Sequence, residues 1–168
     1  KPQFLFNYTL DSLNILSSIG EISELVNTPF LVQNGSIFVD VSGKIINFEI
    51  SSDEILWENN LKEIIVDFIQ YSNALIVVTE NNFYILETKT GKLINQSEHS
   101  VVNPSQVSLV NSNLFLVGEN NLVLFDLSSS DLKILKLIKF KNNNIEAVGY
   151  NNGNYYLKNE EAVYTLSE

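Results

Sequence analysis

The chain has no cysteine, no methionine and no arginine, and only one tryptophan and one histidine in 168 residues. Each absence closes a class of function. Without cysteine there is no disulfide framework and no thiolate metal site, yet a β-domain of this size needs no disulfide, so the redox compartment stays open. With His99 as the sole imidazole, a His-based triad, a two-His metal site or a His proton relay within the chain is excluded. The positive charges are ten lysines against twenty acidic residues, for a net charge of −10. Such a surface repels phosphate and lacks guanidinium forks, so nucleic-acid binding is not expected. No apolar run approaches the ~20 residues that cross a bilayer, and no direct membrane contact is expected from this segment. The N-terminus lacks the basic, apolar and small-residue order of a signal peptide. The sequence starts on Lys1 and stops inside a repeating unit, which reads as a piece of a longer or processed chain.

What is there is β-structure, organised around Leu75 to Ser97. Leu75 to Thr79 is aliphatic and β-branched, Phe83 to Thr88 alternates between two faces, and a third apolar run follows Gly91. Glu80-Asn81-Asn82 reads as a turn tolerant of positive φ, and Lys89-Thr90-Gly91 supplies the glycine a hairpin wants. Turns of the first kind recur at Ser42-Gly43-Lys44, Glu80-Asn81-Asn82, Glu119-Asn120-Asn121 and Asn159-Glu160-Glu161, spaced 38, 39 and 40 residues apart. A period near ~40 with about four short strands per unit is the signature of a β-propeller blade. The fold expected is therefore all-β, a partial β-propeller of four-stranded antiparallel blades. The expected division is a partial blade over 1–20, blades over about 21–60, 61–100 and 101–141, and a partial blade over 142–168. Strands are expected at Phe4 to Leu10 and Leu13 to Ile19, while Ser17 to Asn27 reads as a short helix or an inserted loop. Two closures are open: a small ring in which the N-terminal strands complete the last blade, or an arc completed by other chain. The arc is favoured, because four-bladed rings are the smallest known class.

The hairpins between third and fourth strands carry a further pattern. FYILETKTGKLI has an apolar strand ending in Glu87, then Thr90-Gly91 and a second apolar strand; NFEISSDEILWEN has Glu49 and Trp57; LFDLSSSDLKIL has Asp126. This resembles the degenerate repeat of pyrroloquinoline-quinone-type, quinoprotein-like propellers. Such repeats occur in quinoprotein dehydrogenases, in the luminal domains of ER stress-sensor kinases and in the large propeller subunit of the ER membrane protein complex. The resemblance implies a binding or scaffold module more than an enzyme. No position matches, residue by residue, the Ca²⁺-coordinating carboxylates and Asn that lie under a stacked cofactor, so no cofactor and no catalysis are expected.

The candidate partner-binding residues are Trp57, which reads either as packed between blades or as a recognition tryptophan, the lysine stripe Lys133, Lys136, Lys139 and Lys141, and Tyr150, Tyr155 and Tyr156. The lysines read as protection of an outermost strand, or as a contact for an acidic partner or lipid headgroups. The tyrosines are the nearest approach to a sugar- or peptide-binding rim. Glu49, Glu87 and Asp126 read as turn stabilisers that accept backbone N–H bonds, or as a ring that holds a cation. His99 reads as a solvated loop residue. The three Asn-X-Ser/Thr sequons, at Asn7, Asn34 and Asn95, are as many as composition gives by chance. The function expected is a non-catalytic scaffold that binds protein partners or the rest of its own chain, with the ER lumen favoured over the cytoplasm. A cytosolic tethering scaffold, a quinoprotein-type dehydrogenase and a sugar- or peptide-binding propeller are the alternatives.

Overall fold

The computed structural model describes residues 24–49, 51–52, 54–127, 133–140 and 145–166. The expected N-terminal strands lie outside them. The described residues form fifteen strands and no helix. The first sheet is β1 (Phe30–Val32), β2 (Gly35–Val39), β3 (Lys44–Glu49) and β4 (Glu54–Asn60); the second is β5 (Ile65–Tyr71), β6 (Ala74–Thr79), β7 (Asn82–Glu87) and β8 (Leu93–Glu98). The third is β9 (Gln106–Val110), β10 (Asn113–Val117), β11 (Asn121–Asp126) and β12 (Lys133–Lys139), and the fourth β13 (Ala147–Asn151), β14 (Asn154–Lys158) and β15 (Val163–Leu166). In every sheet the strands follow chain order and pair antiparallel, for example Leu75↔Leu86 between β6 and β7. The described residues form a partial β-propeller of four such sheets, which do not close on one another.

The strand sequences explain the layering. Central strands such as ALIVVT of β6 and NLFLV of β10 are nearly continuous apolar runs, because these two are covered on both faces by a neighbouring sheet. With side chains alternating at period two, one strand then serves two junctions. Leu75 and Val77 of β6 pack towards Ile37, Val39 and Ile45 of the first sheet, while Ile76 and Val78 pack towards Val107, Leu114 and Leu116 of the third. Phe115, Val117, Leu122 and Leu124 meet Ile145, Tyr155 and Leu157 of the fourth. Phe38, Ile46 and Phe48 cluster with Leu25 on the far face of the first sheet. Leu75 to Val78 are at most 1% exposed, and each contributes on the order of 1.5–3 kcal/mol of apolar burial. Outward along each sheet the strands turn polar: β4 is EILWENN and only Trp57 in it is buried.

Each of the three outer hairpins has a β-bulge at the same place. The register passes from Asn47↔Trp57 to Phe48↔Ile55, from Ile85↔Asn95 to Leu86↔Leu93, and from Leu124↔Lys136 to Phe125↔Ile134. Leu56, Ile94 and Leu135 are the extra residues, and all three are exposed. A bulge bends and twists a strand, so its recurrence gives every outer strand the same departure from its sheet.

One local expectation is corrected. Glu80 to Asn82 do not have positive φ; among non-glycine residues positive φ falls instead on Ser72, Asn111, Ser112 and Asn152, in the turns between first and second strands, with Lys62 and Asn103 in the links between sheets. Of Ser17 to Asn27, read as a short helix or an inserted loop, residues 24–27 are described: they form no helix, and Leu25 makes an isolated antiparallel bridge to Asp40.

Candidate functional site

Four arrangements of polar and exposed apolar groups stand out among the described residues, three of them at the junction of the first and second sheets. At its outer end, Trp57 lies 9% exposed against the second sheet, and its indole Nε1–H donates to the Thr88 carbonyl at 3.0 Å. Asn59, two residues on and on the same face, donates to the Gly91 carbonyl at 3.0 Å. Gly91 has φ +68°, and a methyl group there would overlap the Trp57 ring. The β7–β8 turn thus needs glycine both for its backbone and for the neighbour that rests on it. Of the two readings of Trp57, the structure agrees with packing between blades and not with an exposed recognition tryptophan, because its ring is buried and its one polar group is paired.

At the other end of this junction, Glu63 in the β4–β5 link accepts from Thr79 Oγ1 at 2.6 Å, from Asn82 Nδ2 at 3.2 Å and from the Tyr84 hydroxyl. Burial pushes the Glu63 carboxyl up, but hydrogen bonds from Thr79, Tyr84 and Asn82 together hold it below its ordinary value. Tyr84 is pushed up to about 12 by burial and by the Glu63 carboxylate it donates to. The cluster clips the link onto β6 and β7. No sequence spacing announces it, since its members come from three segments.

Beside the Thr88 turn at the same junction opens a cleft of about 390 Å³, lined by Asn34, Asn47, Leu56, Gln70, Asn73 and Glu87 among others. Asn47 is 1% exposed, and its Oδ1 has no hydrogen-bond partner.

The remaining sequence candidates scatter. Lys136 and Lys139 are exposed on β12, the outermost strand of the third sheet; Lys133 lies on the same strand, and Lys141 is outside the described residues. The tyrosines do not form one rim. Tyr155 is buried, packs on Phe115 with ring centroids 5.1 Å apart and shares its hydroxyl with the Asn113 carboxamide, so it is corrected to a core residue. Tyr150 is exposed with its ring 4.9 Å from Tyr155, and Tyr156 is half-buried. Glu49 accepts from Ser52 Oγ at 2.6 Å and Glu87 from Thr90 Oγ1, so these carboxylates steady their turns through hydroxyls where backbone N–H donors were expected. Among the described residues no three His, Asp or Glu side chains converge on a cation site. His99 is corrected from a solvated loop residue: it is half-buried, lies edge-on to Phe83 at 5.1 Å, and its Nε2 is 3.1 Å from the Thr79 carbonyl. Burial holds its imidazole below the ordinary value, against the opposing pull of the Thr79 carbonyl.

The fourth arrangement is the outer surface. Ile55 and Leu56, Leu93 and Ile94, and Ile134, Leu135 and Leu137 are exposed on β4, β8 and β12.

No family model matches the chain, and no curated protein matches it. Among solved structures it is similar to the computationally designed Ika8 protein, with TM-score 0.66 at 10% identity over 83% of this chain and 45% of that one. It is also similar to the computationally designed Ika4 protein, with TM-score 0.68 at 10% identity over 88% of this chain and 93% of that one. The chain spans less than half the length of the Ika8 chain it matches. Likeness at this identity shows the fold alone.

Proposed function

We propose that the chain is a non-catalytic β-propeller module that holds protein partners, or further parts of its own chain, within a larger assembly. The observation that carries this reading is the repeated exposure of apolar pairs at the bulge of each outer strand: Ile55 and Leu56, Leu93 and Ile94, Ile134 and Leu135. Single exposed apolar residues are ordinary, but a recurring set on neighbouring sheets makes a surface suited to a protein partner. Lys136 and Lys139 beside the third pair favour an acidic partner segment there. The quinoprotein-like resemblance points the same way, towards scaffolds of the ER lumen, and the contact of Trp57 with the Thr88–Gly91 turn gives the resembling residues a shared structural role.

The test is site-specific photo-cross-linking in cells, with a benzoylphenylalanine in place of Leu56, Ile94 or Leu135 and a control at exposed Ser51. Discrete protein adducts at the three bulge positions and none at the control are expected. Adducts at all four positions alike, or at none, would overturn the reading.

A further inference from the structure

The exposed apolar pairs of the outer strands recur, but the charges beside them do not. β4 is EILWENN, with two acidic residues and no lysine, and β12 is KILKLIK, with three lysines and no acidic residue. β8, between them, is LINQSE and carries one acidic residue. The shared bulge makes the strands comparable position by position. Ile55 and Ile134 stand on equivalent rungs, opposite Phe48 and Phe125, and the neighbouring rung holds Glu54 in the first sheet and Lys133 in the third. Glu54, Glu58, Lys136 and Lys139 are all exposed, and Glu58 also lies 3.6 Å from Lys44 of its own sheet. The same apolar pair is therefore flanked by carboxylates on one strand and by ammonium groups on the other.

Within one chain these two surfaces cannot meet, because the second sheet is packed between the first and the third. Between two copies they can. We propose that the β4 surface of one copy docks on the β12 surface of another, with Ile55 and Leu56 against Ile134, Leu135 and Leu137, and with Glu54 and Glu58 facing Lys136 and Lys139. An apolar centre with a charged rim is the anatomy of a protein–protein contact. Charge also selects the pairing. β4 on β4 would set carboxylate against carboxylate, β12 on β12 would set lysine against lysine, and like charges across an interface are strongly unfavourable. The lysines that shield an outermost strand from indiscriminate pairing thus admit a surface of opposite sign. The contact is head-to-tail, so each copy keeps its other surface for a further neighbour. A contact between two short strands is small, which puts it in the weak and salt-sensitive class. The inference rests on the reading of the outer strands as a partner-binding surface, and names a second copy as the partner for two of the three.

The test is sedimentation velocity of the 168-residue chain at concentrations rising into the millimolar range, in low and in high salt. Self-association that grows with concentration and weakens with salt is expected. Two variants reverse the charges at exposed positions: Glu54→Lys with Glu58→Lys, and Lys136→Glu with Lys139→Glu. Each alone is expected to associate about tenfold or more weakly, since its two surfaces then carry like charge. An equimolar mixture of the two is expected to regain the wild-type association, because the two unchanged surfaces attract, as do the two reversed ones. That recovery also shows that both variants are folded. Leu135→Ser is expected to weaken the wild-type contact with all four charges in place. A chain that stays monomeric into the millimolar range, association unchanged in both charge variants, or a mixture that fails to regain what each variant lost would overturn the proposal. None of these outcomes bears on adducts with other proteins at Leu56, Ile94 and Leu135 in cells, which test the partner-binding reading on its own.

Discussion

The junction between the first and second sheets and the junction between the second and third share one backbone plan and are fastened by different side chains. In the first, Trp57 and Asn59 reach across the outer end to the Thr88 and Gly91 carbonyls. In the second, the Trp57 position is Asn95, and the fastening is aromatic: Phe83 meets Phe125 edge-on at 4.7 Å and His99 at 5.1 Å. An inner tie is added there by Asp67 of β5, whose Oδ2 accepts from the Val107 N–H of β9 at 2.8 Å. Burial pushes the Asp67 carboxyl up, partly offset by the Val107 and Phe68 N–H donors. The bulge and the turn spacing recur in both units, whereas the docking side chains do not. A degenerate repeat keeps what the backbone needs to twist and close a blade, and lets each junction find its own packing.

This contrast sets the order of the expected mutational effects, all measured by urea unfolding. Trp57→Ala removes a buried ring and leaves the Thr88 carbonyl without its donor, and is expected to cost about 3–5 kcal/mol. Asn95→Ala at the matching rung is expected to cost less than ~1 kcal/mol. Equal losses at the two positions would break the comparison. Gly91→Ala forces a methyl group into the Trp57 ring at a positive φ and is expected to cost about 2–4 kcal/mol. In a Trp57→Ala background that loss is expected to shrink towards the backbone term alone.

Glu63→Gln is expected to cost about 1–3 kcal/mol at neutral pH, because charged acceptors bind their donors more strongly. The Glu63 carboxyl lies below its ordinary value in the folded state, so its contribution is present above the ordinary carboxylate range and is lost as pH falls through the folded value. The difference between wild type and variant is therefore expected to fade in acid. Tyr84 has the opposite sign: its contribution is present below the ordinary tyrosine value and lost as pH rises towards about 12. The smallest effect is expected at His99. Its imidazole is held below the ordinary value, so the unfolded chain takes up the proton first and stability falls as pH drops through the imidazole range. His99→Gln is expected to flatten that part of the stability curve, and an unchanged curve would return His99 to solvent.

The fold was legible in the sequence because β-propellers write their plan in local signals. β-branched runs such as LIVVT and turn residues at fixed spacing report strand and hairpin without reference to the rest of the molecule. The positions of β6 and β7 fall within one residue of the runs, Leu75 to Thr79 and Phe83 to Thr88, that announced them. Side-chain fates were harder to read. In NYYLK the two tyrosines are equal as composition, yet period two puts Tyr155 in phase with buried Leu157 and leaves Tyr156 out of phase; a stricter use of alternation would have found the core residue. His99 follows a polar stretch, and only the placement of Phe83 draws its ring inward. The Glu63 cluster is assembled from a link, a strand end and a neighbouring strand, so no spacing reports it. Asn47 did leave a signal: once the units are aligned, it is the polar residue in a column that otherwise reads Ile85 and Leu124.

Because Trp57 is the only tryptophan, its fluorescence reads the docking of one sheet on the next without interference. The measurement is the emission wavelength of the native chain together with quenching by acrylamide and iodide. The account predicts blue-shifted emission with weak quenching by both agents, as befits an indole buried between sheets and bonded to the Thr88 carbonyl. Emission at the wavelength of the urea-unfolded chain, with quenching as efficient as in that state, would contradict the stacked arrangement of the first two sheets on which the account rests.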